Sequence, residues 1–234
     1  AASDSIESYS PATGRDLIDV DVADAGDIDL AGADSETAIA RIAARTEELA
    51  RTGARVVTFG GDHSVSIGTS RGLRAVYPDL VHVVYDAHMD LRAEYDGSEL
   101  SHACGSRHMA AAGPTCVLGV RSGSRDEYAD AEKLLIAFTD EVALPPRMRA
   151  IASGKPVFVS VDLDVLDPSI LPGTGTPEPG GPTYKELRRA LLDLAGLHIV
   201  GMDFVEVAPP LDSSGLSPIV AAEIARDCIL GLLA

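Results

Sequence analysis

Along this chain, apolar residues gather in two alternating kinds of segment. Short runs rich in Val, Ile and Leu occur at residues 16–22, 54–59, 80–85, 116–120, 156–161 and 197–202. They lack the every-second-residue polarity of a strand with one wet face, so they read as strands buried on both faces. Between them lie longer segments with helical spacing at 36–51 (ETAIARIAARTEELAR), 65–77, 126–136, 183–195 and 217–233. One of these opens on Thr183-Tyr184-Lys185-Glu186, a capping box in which Thr183 and Glu186 each satisfy the other's free backbone N–H. The alternation predicts an α/β fold, a three-layer αβα sandwich with a mostly parallel sheet. No repeat, low-complexity tract or linker interrupts it, and the Pro-rich stretch 171–182 reads as an internal loop. Residues 1–234 are therefore expected to form a single domain.

Composition narrows the class. With 46% hydrophobic and 24% charged residues, the chain matches an ordinary globular protein. No apolar run approaches the roughly 18 residues of a membrane span, and no basic-then-apolar leader opens the sequence. Neither a membrane nor secretion is expected. Cys104, Cys116 and Cys228 are odd in number and widely spaced, which predicts no disulfide framework or zinc knuckle and a cytoplasmic location. A net charge of −17 repels phosphate backbones and excludes nucleic acid. It permits a small cationic substrate, although a solvated acidic surface is the main reading of the charge.

Chemistry gathers where the apolar runs stop. Asp86-Ala87-His88-Met89-Asp90 follows the run at 80–85, and continued extension would point Asp86, His88 and Asp90 the same way. Asp162-Leu163-Asp164 repeats the pattern after 156–161, and Gly60-Gly61-Asp62-His63-Ser64 follows the run ending at residue 59. Ligand sites in parallel sheets lie at the carboxyl ends of strands, so His63, Asp86, His88, Asp90, Asp162 and Asp164 are expected to converge. Taken singly, each motif is compatible with a turn or a cap. Together, four carboxylates and two imidazoles are costly to bury unneutralised. Two divalent cations resolve that cost, and an oxygen-rich donor set with some imidazole suits manganese better than zinc. Asp62 and Asp167 read as turn residues or supports.

These motifs resemble, in order, the three metal motifs of the ureohydrolase family, which includes arginases and agmatinases: GGDHS at 60–64, DAHMD at 86–90 and SVDLDVLDP at 160–168. PGTGTPEPGG at 172–181 and DFVEVAPPLD at 203–212 resemble its substrate-side loops. The likeness runs over nearly the whole chain and implies an arginase-like fold holding two Mn2+ ions. It implies that His63 and Asp90 hold one ion, that His88 and Asp164 hold the other, and that Asp86 and Asp162 bridge them. It further implies that Glu206 faces the guanidinium nitrogens and that Asp90 passes a proton to the leaving amine. His102, in SHAC at 101–104, would exchange protons with solvent, with His108 as the nearby alternative.

The implied reaction is release of urea from a small guanidino compound by a homo-oligomer, a trimer or hexamer. Agmatine is the expected substrate, because Glu94, Asp96 and Glu99 follow Asp90 and suit a terminal ammonium better than a carboxylate. Arginine, guanidinobutyrate (through Arg92) and formiminoglutamate are the alternatives, as is a non-catalytic metal-binding homologue. Family members carry a strand and a Gly- and Arg-rich loop ahead of the segment matching 1–10. This sequence starts after both, so a sheet strand and part of the substrate-side wall are expected to be missing, either because it is a fragment or because its sheet closes differently.

Overall fold

The expected strand at 16–22 does not form. In the computed structural model, which describes residues 2–234, β1 (Tyr9–Ser10) pairs antiparallel with β2 (Arg15–Asp16). The backbone then turns through a 3-10 turn at Leu17–Asp19, with Asp16 accepting from the Ile18 N–H at 3.2 Å. The interleaved aspartates explain the difference. Asp24 and Asp29 likewise accept from Gly26 and Ala31 N–H, and such local bonds compete with a strand ladder. Ile18 is left 80% exposed.

One sheet holds six strands, five formed by the remaining apolar runs and a sixth, at Ala137–Thr139, in addition. They are β3 (Val56–Phe59), β4 (Val81–Tyr85), β5 (Thr115–Leu118), β6 (Ala137–Thr139), β7 (Pro156–Asp162) and β8 (His198–Val205). Their order is β3-β8-β7-β4-β5-β6, every pairing is parallel, and β3 and β6 are the edges. The helices are α1 (Ser35–Arg51), α2 (Val65–Val76), α3 (Gly105–Ala112), α4 (Arg125–Leu134), α5 (Pro146–Ala152), α6 (Tyr184–Leu192) and α7 (Leu216–Cys228), the last continued by a π turn at Ile229–Leu233. The Thr183/Glu186 capping box is formed, and Ser124 with Glu127 forms a second one before α4.

Strand side chains alternate between two cores. Val84, Val117, Phe158 and Val200 pack with Leu73 of α2, Met109 of α3 and Ala131 of α4. Val83, Tyr85, Cys116 and Leu118 pack on the other face with Met148 of α5, Leu187 of α6 and Ile224 of α7. The result is a sheet sandwiched between two helical layers. The α1–α2 contact is close because Gly68 and Gly72 face Ile42 and Ala43, where a Cβ would collide. The elements α3, α5 and β6 were not evident from periodicity. Each is short, and Ala137–Thr139 is only partly buried, so the apolar signal is dilute. No described helix is long and apolar enough to cross a membrane. Because all six strands run the same way, their carboxyl ends open onto one edge of the sheet.

Candidate metal centre

Four adjacent strand ends build the site. Beyond β3 the chain slips between the end of β8 and the start of α2. A Cβ on Gly60 would lie 3.1 Å from Val205 and 3.2 Å from Val65, so glycine eases the close approach. That turn carries His63 inward. Its Nδ1 stands 3.1 Å from an oxygen of each of Asp86, Asp90 and Asp162. Its Nε2 lies 3.1 Å from Ser160 Oγ, which donates to Asp203 Oδ1 at 2.7 Å. A second cluster adjoins the first, with His88 Nδ1 3.0 Å from Asp164 Oδ2 and 3.6 Å from Asp86 Oδ1. Asp86 thus turns one oxygen to each imidazole. Two groups of potential metal donors result: His63, Asp86 and Asp162, and Asp86, His88 and Asp164.

The six groups converge, and pairing continues beyond β4 as far as His88, bridged in parallel to Ser122, but extension does not bring in Asp90. The ladder of β4 stops at Tyr85, and Ala87 O accepts from both Arg121 and Ser122 N–H at 2.9 Å. Asp90 then adopts a left-handed backbone, φ 52°, with its carbonyl accepting from Arg107 N–H. Glu206 is also left-handed, φ 62°, with its N–H on Gly61 O and its Oε1 accepting from His63 N–H, both at 2.7 Å. A non-glycine residue pays of order 1–3 kcal/mol for such a conformation, which persists where the surroundings hold it. Here it turns two carboxylates towards the same space.

Charge explains what the space is for. His63 Nδ1 and Asp86 Oδ2 are buried, and neither has a hydrogen-bond partner among the described residues. They stand 3.1 Å apart without meeting as a hydrogen bond. Burial, then the charge of Asp86, raises Asp90 to about 7. Burial, then the charges of Asp164 and Asp86, pushes Asp162 well above the carboxylate range. Burial opposes the charged form of both imidazoles, but their carboxylate partners outweigh it and hold His63 high and His88 at about 11. Left to themselves, these groups retain protons that divalent cations would replace. The oxygen-rich, imidazole-containing donor set fits such cations.

The other candidates lie around this cluster. His102 is half exposed, with Nδ1 3.3 Å from Asp62 Oδ2 and its ring edge-on to Tyr95. Asp62 Oδ1 accepts from Ser64 N–H, so one carboxylate closes the turn and faces the histidine. His108 instead meets Glu99 O at 2.9 Å. Asp167 ties its loop through Ser169 and Gly180 N–H. Arg92, the candidate partner of an acidic substrate, lies over the Tyr95 ring and 3.6 Å from Glu127.

Sequence reasoning missed several supporting residues. Ser160 and Asp203 back His63, and Thr176 donates to Asp164 at 3.4 Å. Glu127 accepts from Leu91 N–H at 3.1 Å just beyond Asp90. Arg121 gathers the carbonyls of Gly119, Asp164, Val165, Leu166 and Glu178. The available signal was a polar residue within an apolar strand, as at Ser160 and Asp203.

Comparison with known proteins gives the family and the fold. A family model described as "Arginase family" matches residues 1–231. An agmatinase from Bacillus anthracis is 37% identical over 97% of this chain and 80% of its own length. One from Bacillus subtilis is 36% identical over 97% and 81%. Among solved structures, the agmatine ureohydrolase of Thermoplasma volcanium superposes with a TM-score of 0.87 at 30% identity, covering 98% of this chain and 80% of that one.

Proposed function

Since this chain belongs to the arginase family and is a ureohydrolase acting on guanidino compounds, we propose that it uses two manganese ions to hydrolyse agmatine to putrescine and urea. The observation that carries this reading is the pair of donor clusters sharing Asp86 at one edge of the sheet. His63, Asp86, Asp90 and Asp162 would hold one ion, and Asp86, Asp162, His88 and Asp164 the other. When bound, such a pair acidifies water and supplies hydroxide near neutral pH.

The protein's own groups do the rest. A guanidinium is cationic and resonance-stabilised, so it must be held and its leaving amine protonated. Glu206 has Oε1 fixed by His63 N–H, which leaves Oε2 to accept from guanidinium N–H groups in a charge-assisted bond. Asp90, whose Oδ2 stands 3.1 Å from His63 Nδ1 within the cluster, is placed to carry a proton to the leaving nitrogen. His102, half exposed and steadied by Asp62, is placed to exchange protons with solvent.

Substrate choice follows from the loop beyond Asp90. Glu94, Asp96 and Glu99 are exposed there, whereas the charge of Arg92 is engaged by Glu127 and Tyr95. The loop thus favours a terminal ammonium over a carboxylate, and the agmatinase relatives accord with it. The test is urea release from agmatine, arginine and guanidinobutyrate at saturating manganese, with metal content measured on the same sample. We expect two manganese ions per chain and the highest kcat/KM for agmatine. Arginine turning over tenfold better, about 1.4 kcal/mol in transition-state binding, would overturn the substrate assignment. Full activity with neither manganese nor another divalent ion bound would overturn the metal assignment.

A further inference from the structure

His88 has two ring nitrogens with different surroundings. Nδ1 faces Asp164 and Asp86 inside the cluster, while Nε2 points outward to Glu178, whose Oε1 is 3.9 Å away. Glu178 is held both at its side chain and at its backbone. Ser122 Oγ donates to the same Oε1 at 2.8 Å, and Arg121 holds the Glu178 carbonyl through Nε at 3.2 Å and Nη2 at 2.8 Å. Ser122 is itself bridged to His88 along the backbone, with Met89 N–H on Ser122 O at 3.0 Å. The loop at 172–181 and the segment after β5 thus place a carboxylate beside the outer nitrogen of one histidine. His63 is backed differently, with Ser160 Oγ at its Nε2.

We propose that Glu178 is the positioning residue for His88, its carboxylate beside Nε2 favouring the Nε2–H tautomer so that the lone pair of Nδ1 stays directed at a cation. This rests on the two-metal reading above. Neutral imidazole carries one N–H, and the partner of that N–H decides which nitrogen is free to bind a metal. A carboxylate partner also makes the ligating nitrogen more basic, and loss of such a partner typically weakens metal binding by 10- to 100-fold. The two cations should therefore differ in their dependence on Glu178. The ion on His88, Asp86 and Asp164 relies on it, and the ion on His63 does not.

The test is manganese titration of the metal-free 234-residue chain, followed by the paramagnetic resonance of free aqueous Mn2+. His63→Asn and His88→Asn identify which binding step belongs to which cluster. Glu178→Gln is expected to weaken the His88 step by about tenfold or more and the His63 step by less than about threefold. Glu178→Asp should recover part of the loss, and Ser122→Ala should weaken the His88 step alone. The metal-free melting temperature should stay within about 1 °C of wild type, because the contact is at the surface of the site. Equal weakening of both steps would overturn the proposal, since it would report only a lost negative charge. Unchanged metal binding with a raised KM for agmatine would also overturn it, placing Glu178 against substrate instead. A wild-type chain that takes up only one manganese ion would overturn the two-metal reading itself, and the titration distinguishes that failure from the others.

Discussion

Two histidines in this molecule are almost wholly out of reach of water, and they lie towards opposite ends of the same sheet. His82, early in β4, and His63, beyond β3, are 0% and 1% exposed. His82 meets hydroxyl groups, Ser70 Oγ at 2.8 Å and Thr115 Oγ1 at 3.4 Å, with Phe158 edge-on. Burial, aided by the charge of Arg74, lowers its pKa to about 3. His63 is subject to the same burial, yet Asp162, Asp86 and Asp90 outweigh it and hold its pKa well above the usual value. Burial therefore does not distinguish a functional histidine from a structural one. The partners do. Neutral hydroxyls satisfy an imidazole and complete it as part of the core. Three carboxylates around one imidazole leave surplus negative charge, and that surplus calls for a cation.

The sharpest way to break this contrast is to remove charge from the rim. Asp162→Asn should lower kcat/KM for urea release by about 10³-fold, roughly 4 kcal/mol in transition-state stabilisation, and reduce bound manganese below two per chain. Its metal-free form should be no less stable than wild type, because the Asp162 carboxylate is itself disfavoured by burial and by its neighbours Asp164 and Asp86. Metal analysis, urea assay and thermal melting on one preparation check all three expectations. Retained activity, or a large loss of metal-free stability, would mean that the rim carboxylates belong to the core after all.

At the other end of the sheet the effects should be reversed. His82→Leu removes an imidazole whose partners, Ser70 and Thr115, are buried. Thr115 keeps its bond to Gly113 O at 2.9 Å, and leaving the Ser70 hydroxyl unpaired and the ring's packing lost should cost about 2–3 kcal/mol of folding stability. Manganese content and kcat/KM should stay within about twofold of wild type at temperatures where the variant is folded, since distant sites act independently. Urea denaturation and the urea-release assay read the two quantities separately. A fall in bound manganese without a fall in stability would erase the distinction drawn here.

The sequence signalled these two ends unequally. The rim announced itself because Asp-x-His-x-Asp, Asp-x-Asp and Gly-Gly-Asp-His each follow an apolar run, and parallel strands bring such ends together. His82 lies inside an apolar run at 81–85, where periodicity registers no more than one polar interruption. Only the structure pairs it with Ser70 and Thr115. The manner of convergence was also hidden. Extended backbone through 86–90 suggested alternation, whereas Asp90 reaches the cluster through a left-handed turn that depends on Arg107, distant in sequence. Glu178 stood in a motif recognised for its loop, but its approach to His88 depends on Arg121 and Ser122. The strand expected at 16–22 failed for a local reason, since Asp16 bonds the Ile18 N–H and Asp24, just beyond, bonds that of Gly26. Long apolar periods survive folding intact; polar partnerships across loops are settled by tertiary contacts.

The smallest effect expected, and the most discriminating, is the response of the two ends to acid. A group whose folded pKa is raised stabilises the protein at low pH and loses that contribution as pH rises through the folded value. Asp90, at about 7, and Asp162, also raised, act in this sense, so the metal-free rim should gain stability on acidification below neutrality. His82 acts in the opposite sense. Its folded pKa is about 3 against an ordinary value of 6.5, so the unfolded chain binds the extra proton throughout that window and stability falls as pH drops through it. Between pH 7 and 5.5 this single group should remove about 1 kcal/mol. The two trends overlap in the wild-type chain, but His82→Leu keeps the rim and deletes only the core term. The stability difference between wild type and His82→Leu should therefore narrow by about 1 kcal/mol from pH 7 to pH 5.5, measured by urea unfolding of the metal-free proteins. A difference that stays constant or widens would show that His82 keeps its proton in the fold, and that hydroxyl partners do not make a buried imidazole neutral here.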